Sequence, residues 1–189
     1  HGKGKILRET ETQVLAGGGI AARLGGIHGP HRSFFLTRFL AAETLPEGHG
    51  RFINQVHRDD IVSALLLLAE RRVEYRGEIF NVVGDQPVTA KEAYAWLSAR
   101  LNKSGAAFAR AGGEGQSAMA GASGKLAPEF SAGGDTRRYS ERSRGAADRK
   151  RGESNKQVSN RKLRAVGWHP RYPTFQCAMS ENILESFGF

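Results

Sequence analysis

The chain of 189 residues holds one cysteine, Cys177, so no internal disulfide can brace it, and a reducing, cytoplasmic setting is expected. No apolar run approaches the roughly 20 residues that span a bilayer, so no membrane partner is expected. The opening HGKGKILRETE is polar and charged and lacks the apolar core of a secretory leader. It also lacks an initiator methionine and a leading strand, and reads as the continuation of sequence upstream of His1. Acidic residues are in deficit, 19 against 28 Lys and Arg, which leaves +9. A glycine-rich turn between a strand and a helix, which lets backbone amides approach a pyrophosphate, is missing. Gly17, Gly18 and Gly19 follow a helical pattern, and Gly112, Gly113 and Gly115 lie in low-complexity sequence.

The remaining sequence has three textures. Residues 1–103 carry regular apolar periodicity. In 104–134, 21 of 31 positions are Gly, Ala or Ser, too little apolar area to offset the entropy of ordering, so 104–155 reads as a disordered linker or insertion. Residues 156–189 regain aromatic and aliphatic content and form a third segment. The excess charge is concentrated: residues 137–164 hold 11 basic and 3 acidic side chains, a net of +8. Such a run attracts phosphates, but Tyr139 is its only aromatic residue, so a solvated basic loop is favoured over nucleic-acid binding.

Periodicity predicts an α/β chain. Residues 4–16 read as a helix burying Ile6, Leu7, Val14 and Leu15, ended by the three glycines. Residues 20–27 read as one buried strand, 33–43 as a helix, 52–53 as a short strand and 78–83 as another strand. The run 61–72 is the clearest helix, with Asp59 or Asp60 as its cap. Thr89 and Glu92 form a capping box for the helix that follows. Ser159 is expected to cap a short helix stopped by Gly167, and a final helix follows Pro173. Trp168, Tyr172 and Phe175 are expected in the core. Cys177, without a basic neighbour in sequence, is read as structural.

Four strings carry a further signal: RLGGIHGP (23–30), RFINQVHRDDIVSALLLL (51–68), GEIFNVVGDQPVT (77–89) and SNRKLRAVGWHPRYPTF (159–175). Their order and spacing resemble the C-terminal half of the extended short-chain dehydrogenase/reductase family, the NAD-dependent epimerase/dehydratase group. The resemblance implies the later strands of a Rossmann-type parallel sheet plus a small α/β substrate domain, with the glycine-rich part upstream of His1. It implies NAD or NADP as cofactor, hydride transfer at a carbon bearing oxygen, and a nucleotide sugar or similar small molecule as substrate. A chain starting at His1 is expected to be inactive alone, and its exposed sheet edge favours a homo-oligomer.

The family's catalytic pair is Tyr-x-x-x-Lys, in which the lysine lowers the tyrosine's pKa and holds the ribose. Lys5 falls on the lysine position, with Glu9 four residues on, and His1 falls where the tyrosine belongs. The alternative reading makes Lys5 a solvated helix residue and His1 an end without a role. By the same resemblance Ile27, His28, Gly29 and Pro30 contact the nicotinamide amide, although a glycine and proline explain a strand-ending turn unaided. Asn54, His57 and Arg58 are candidates for substrate contact beside the 61–72 helix. The H-x-x-H spacing of His28 and His31 is interrupted by Pro30 and has no third ligand nearby, so no metal is expected. The missing tyrosine leaves a second reading open, a non-catalytic dinucleotide-binding relative on the same scaffold.

Overall fold

The computed structural model describes residues 2–41, 50–103 and 155–189. His1 and all of the predicted insertion except Asn155 lie outside the described residues, as does most of the basic run. The elements begin with α1 (Gly2–Ala16), β1 (Ala21–Leu24), β2 (Gly26–His28) and α2 (Phe34–Leu40). Then come β3 (Phe52–Ile53), β4 (Gln55–His57), α3 (Arg58–Glu70), β5 (Ile79–Val82), β6 (Val88–Thr89) and α4 (Ala90–Leu101). The last segment holds α5 (Arg161–Ala165) and α6 (Phe175–Ala178), which runs through a π-helical turn (Met179–Ile183) into α7 (Leu184–Ser186).

The predicted parallel pairing is present. β1 lies beside β5 in register Ala21–Ile79 to Leu24–Val82, with α3 in the connection between them. The single strand expected over 20–27 is instead two. At Gly25 the chain leaves β5 and joins β4: Gly25 N donates to Val82 O, and Gly26 N donates to Asn54 O at 2.7 Å. A side chain cannot fit at this transfer, because a Cβ on Gly25 would lie 2.6 Å from Asn54 O and 2.9 Å from Val83 Cγ1. Beyond it, β2 pairs with β4 in parallel, which sets His28 beside His57. β3 and β6 form a short antiparallel pair.

Two apolar clusters hold these pairs. One joins the sheet to its covering helices through Phe80, Val82, Val56, Ile61, Leu68, Leu163 and Trp168. The other packs α2 and α4 against the C-terminal helices through Leu36, Phe39, Tyr94, Leu97, Phe175, Met179 and Ile183. Each fully buried aliphatic or aromatic side chain here contributes roughly 1.5–3 kcal/mol. Trp168, Tyr172 and Phe175 are buried as the sequence reading expected.

Most helix ends match their sequence signals. Thr89 and Glu92 form the capping box. Gly18, at φ 77°, closes α1: its N–H reaches Leu15 O, and Gly19 N–H reaches Val14 O, the paired bonds of a Schellman stop. Three expectations fail. The helix expected over 61–72 starts at Arg58 and is capped by His57, whose side chain accepts from Asp59 N. Asp59 and Asp60 fall inside its first turn instead. Asn160, without a side-chain cap bond, takes the N-cap place of α5, although Ser159 Oγ still accepts from Arg161 N at 3.2 Å. The face assigned to α1 is also wrong. Ile6 is 60% and Leu7 71% exposed, and Val14 is exposed too, because among the described residues only the C-terminal part of the helix meets the sheet. The outer edge of β1 likewise has no strand partner among the described residues.

Candidate functional site at the carboxyl edge of the sheet

β1 and β5 run in the same direction, so both end on one edge, at Leu24 and Val82. Ligands of open parallel sheets bind outside that edge, where the chain departs into loops. A cleft of about 510 Å³ lies there, lined by Arg23, Gly25, Asn54, Asn81, Val83 and segment 156–159. Its volume is within the range of small-molecule sites.

Arg23 is already balanced. Its Nε donates to Glu11 on α1 at 2.8 Å, a contact that raises the guanidinium pKa and lowers that of the carboxyl. Lys5 sits six residues before Glu11 on the same helix, roughly 9 Å along its axis. Its side chain is 79% exposed and pairs with Glu9 at 3.6 Å. Asn54, a predicted substrate residue, lines the cleft. Both ends of its amide bind protein backbone: Nδ2 donates to Lys156 O at 3.0 Å and Oδ1 accepts from Val158 N at 2.7 Å.

The other predicted residues gather at the ends of β2 and β4. His57 is fully buried. Its Nδ1 accepts from Asp59 N at 3.3 Å, so the ring proton is on Nε2, which donates to Asn182 Oδ1 at 3.0 Å. The π-helical turn is what carries Asn182. The ring also tilts against Tyr172, with centroids 4.1 Å apart. Burial lowers the His57 pKa, opposed in part by the bond to Asn182 and by Asp59 and Asp60.

His28 is 2% exposed and stacks on Phe175 at an interplanar angle of 12°. Its Nδ1 has no hydrogen-bond partner. Burial, helped by the nearby His57, pushes its pKa down to about 4. Both rings are therefore neutral at neutral pH. Gly29 bonds Arg32 through both its N–H and its carbonyl at 2.9 Å. The stem of Arg58 covers Gly29, and its guanidinium pairs with Asp59 at 3.2 Å.

Asp60 is buried and holds the C-terminal segment in place. Its carboxylate accepts from Arg171 N at 2.6 Å and from Tyr172 N at 3.1 Å. Burial raises its pKa, and these two backbone bonds act against that rise. Cys177 has its pKa pushed up to about 11 by burial and by Glu181, which makes it a poor nucleophile.

Thus Asn54 reaches the cleft, while His28, His57, Gly29 and Arg58 gather one strand pair further on. Lys156, Ser159 and Asn81 were missed. Their local sequence marks them for other reasons, as parts of the strings or of the basic run, and they meet at this cleft only through contacts of long sequence separation. Among the described residues there is no glycine-rich strand-to-helix turn for a pyrophosphate, and the Gly29 backbone is already paired. The described residues do not by themselves make a complete dinucleotide site. They also include no group of three or more His, Cys, Asp or Glu arranged for a metal ion.

No protein-family model and no curated protein matches the chain. Solved structures do. One, a protein assigned as a NAD-dependent epimerase/dehydratase from Methylobacillus flagellatus, is 23% identical, with a TM-score of 0.61 over 99% of this chain and 54% of that one. UDP-glucose 4-epimerase of Thermus thermophilus, solved with NAD, is 16% identical, with a TM-score of 0.57 over 98% and 52%. UDP-glucose 4-epimerase of Thermotoga maritima, solved with UDP-glucose, is 16% identical, with a TM-score of 0.60 over 95% and 51%. The chain shares the α/β fold of these Rossmann-type proteins and spans about half the length of each. No helix among the described residues is long and apolar enough to cross a membrane.

Proposed function

We propose that this chain supplies the later sheet strands and the substrate segment of a protein of the extended short-chain dehydrogenase/reductase type. That protein would be an epimerase, dehydratase or reductase that uses NAD or NADP on a nucleotide sugar or a similar alcohol or carbonyl compound. The observation that carries this reading is the cleft at the carboxyl ends of the parallel pair β1–β5. The four ordered strings and the shared fold support it.

In this reading Asn54 belongs to the substrate wall, and Ile27 to Pro30 form the edge nearest the nicotinamide. His57 and Arg58 keep that edge in place at the start of α3. The cofactor supplies hydride exchange when bound. The chain's own part is to exclude water and fix the substrate's orientation. Lys5, by its match to the lysine of the family's catalytic pair, is the candidate to hold the cofactor's ribose.

The test is titration of the full chain with UDP-glucose, followed by amide NMR. Saturable shifts at Asn54, Asn81 and 156–159 are expected. Shifts confined to other surfaces, or none, overturn the reading. A second reading, dinucleotide binding without catalysis, is favoured by one observation: histidine, not tyrosine, stands four residues before Lys5. For the full-length protein, saturable NAD⁺ binding with no conversion of UDP-glucose to any product sugar, read by chromatography, would support it, and product formation would exclude it.

A further inference from the structure

Residues 155–160 form neither helix nor strand up to Asn160, the cap of α5, yet hydrogen bonds among the described residues reach five of the six, all but Gln157. Four asparagines make these bonds. Asn155 Oδ1 accepts from Phe52 N at 2.6 Å, and its Nδ2 donates to Gly50 O at 3.0 Å. Asn54 bonds the backbone on both sides of residue 157, at Lys156 O and Val158 N. Asn81 Nδ2 donates to Ser159 O at 3.2 Å. The buried Asn160 donates to Val83 O at 2.9 Å and to Asp85 Oδ1 at 2.8 Å. Side-chain amides thus take the place of a strand ladder, and they hold this strap across the carboxyl edge of the sheet.

The strap forms one wall of the cleft, and Lys156 is on that wall. Among the described residues, no hydrogen bond or ion pair takes up Lys156 Nζ. No Asp or Glu among the described residues lines the cleft, and the other cation, Arg23, is paired with Glu11. Of the described residues, Lys156 is therefore the cation of the cleft left without a partner, and Asn54 holds its backbone. An exposed ammonium carried on a backbone that is held in place favours an anion in the cleft, because a charge-assisted hydrogen bond is stronger than a neutral one.

The geometry points to Lys156 as the specificity-determining contact for an anionic group on the substrate, a phosphate or a carboxylate, with Asn54 as its positioning residue. This assignment rests on the cleft being the substrate site. It adds which residue reads the charge and what holds that residue still.

The test uses three hexoses that differ in charge: glucose 1-phosphate, glucuronate and glucose. Each is titrated into the full chain at constant ionic strength and followed by amide NMR. At least one anionic sugar is expected to bind about tenfold or more tighter than glucose, and the two anionic arms show whether phosphate or carboxylate is preferred. Lys156→Gln abolishes that preference, and Lys156→Arg retains it. Asn54→Ala speeds hydrogen exchange at the Val158 amide and reduces the preference. Lys156→Gln is a surface change that leaves the fold intact, so it decides the matter even where Asn54→Ala unfolds. If all three sugars shift the cleft amides alike, or Lys156→Gln keeps the preference, Lys156 is not the reader and the cleft still stands as the substrate site. If none shifts a cleft amide, the substrate-site reading falls and this assignment falls with it.

Discussion

His28 is a buried imidazole with an unpaired Nδ1, and its removal should change how the protein responds to acid. Burial holds its folded pKa near 4, against the ordinary 6.5 of a solvated histidine. The neutral ring is favoured in the fold, so this stability is fully present above pH 6.5. It is lost as pH falls, because the unfolded chain takes up the proton first. At about 1.36 kcal/mol per pKa unit, the loss reaches about 2 kcal/mol at pH 5 and about 3 kcal/mol at pH 4. His28→Phe keeps a flat ring against Phe175 and removes both the titration and the orphan nitrogen. Urea unfolding between pH 7.5 and 4 is the assay. The wild type should lose stability over that range, and the variant should lose about 2 kcal/mol less by pH 5. His57 also has a lowered pKa and acts in the same direction, so a residual slope remains in the variant. Asp60, whose pKa is raised above 3.8, acts in the opposite direction at the acid end. Equal acid slopes in wild type and His28→Phe would refute the assignment of the lost stability to His28.

Two further variants probe the frame of the site. Asp60→Ala leaves the Arg171 and Tyr172 amides without their acceptor and should cost about 2–4 kcal/mol, read as a lower urea midpoint. A cost under about 0.5 kcal/mol would show that the carboxylate does not anchor that segment. Gly25→Ala pushes a methyl against Asn54 O and should cost about 1–3 kcal/mol. It should also speed hydrogen exchange at the Gly26 amide, which donates to that oxygen. Wild-type exchange at Gly26 would mean the strand transfer has slack that the geometry does not show.

Much of the fold was legible because its signals are local. Thr89 and Glu92 need only each other, and Gly17 to Gly19 need only the turn before them. The apolar runs at 20–27 and 78–83 announced strands, and β1 and β5 do pair in parallel, but the burial expected for 20–27 fails, because the outer edge of β1 has no strand partner among the described residues. The break at Gly25 was not legible, since nothing in IAARLGGI says that Asn54 O will lie where a side chain would go. The cap of α3 was misread for a related reason. Aspartate is a strong N-cap by propensity, but Asp60 accepts instead from Arg171 and Tyr172, more than a hundred residues away. That tertiary demand left the cap to His57. The buried face of α1 was misjudged because periodicity names an apolar stripe but not what covers it.

The site was less legible than the fold, and the four asparagines show why. Asparagine usually marks turns and caps, because its amide competes with backbone for local hydrogen bonds. In this chain Asn54, Asn81, Asn155 and Asn160 use the same capacity at sequence separations of 75 to 105 residues. A pattern search over neighbouring residues cannot see bonds of that span. Asn54 was selected by its place in the resemblance, as a group that would meet substrate, yet both ends of its amide are bound to the strap. Its effect on a ligand therefore passes through Lys156, which no motif marked. The chemistry of this edge depends on charge held by a scaffold of neutral amides, and only the scaffold's three-dimensional closure identifies which charge remains free.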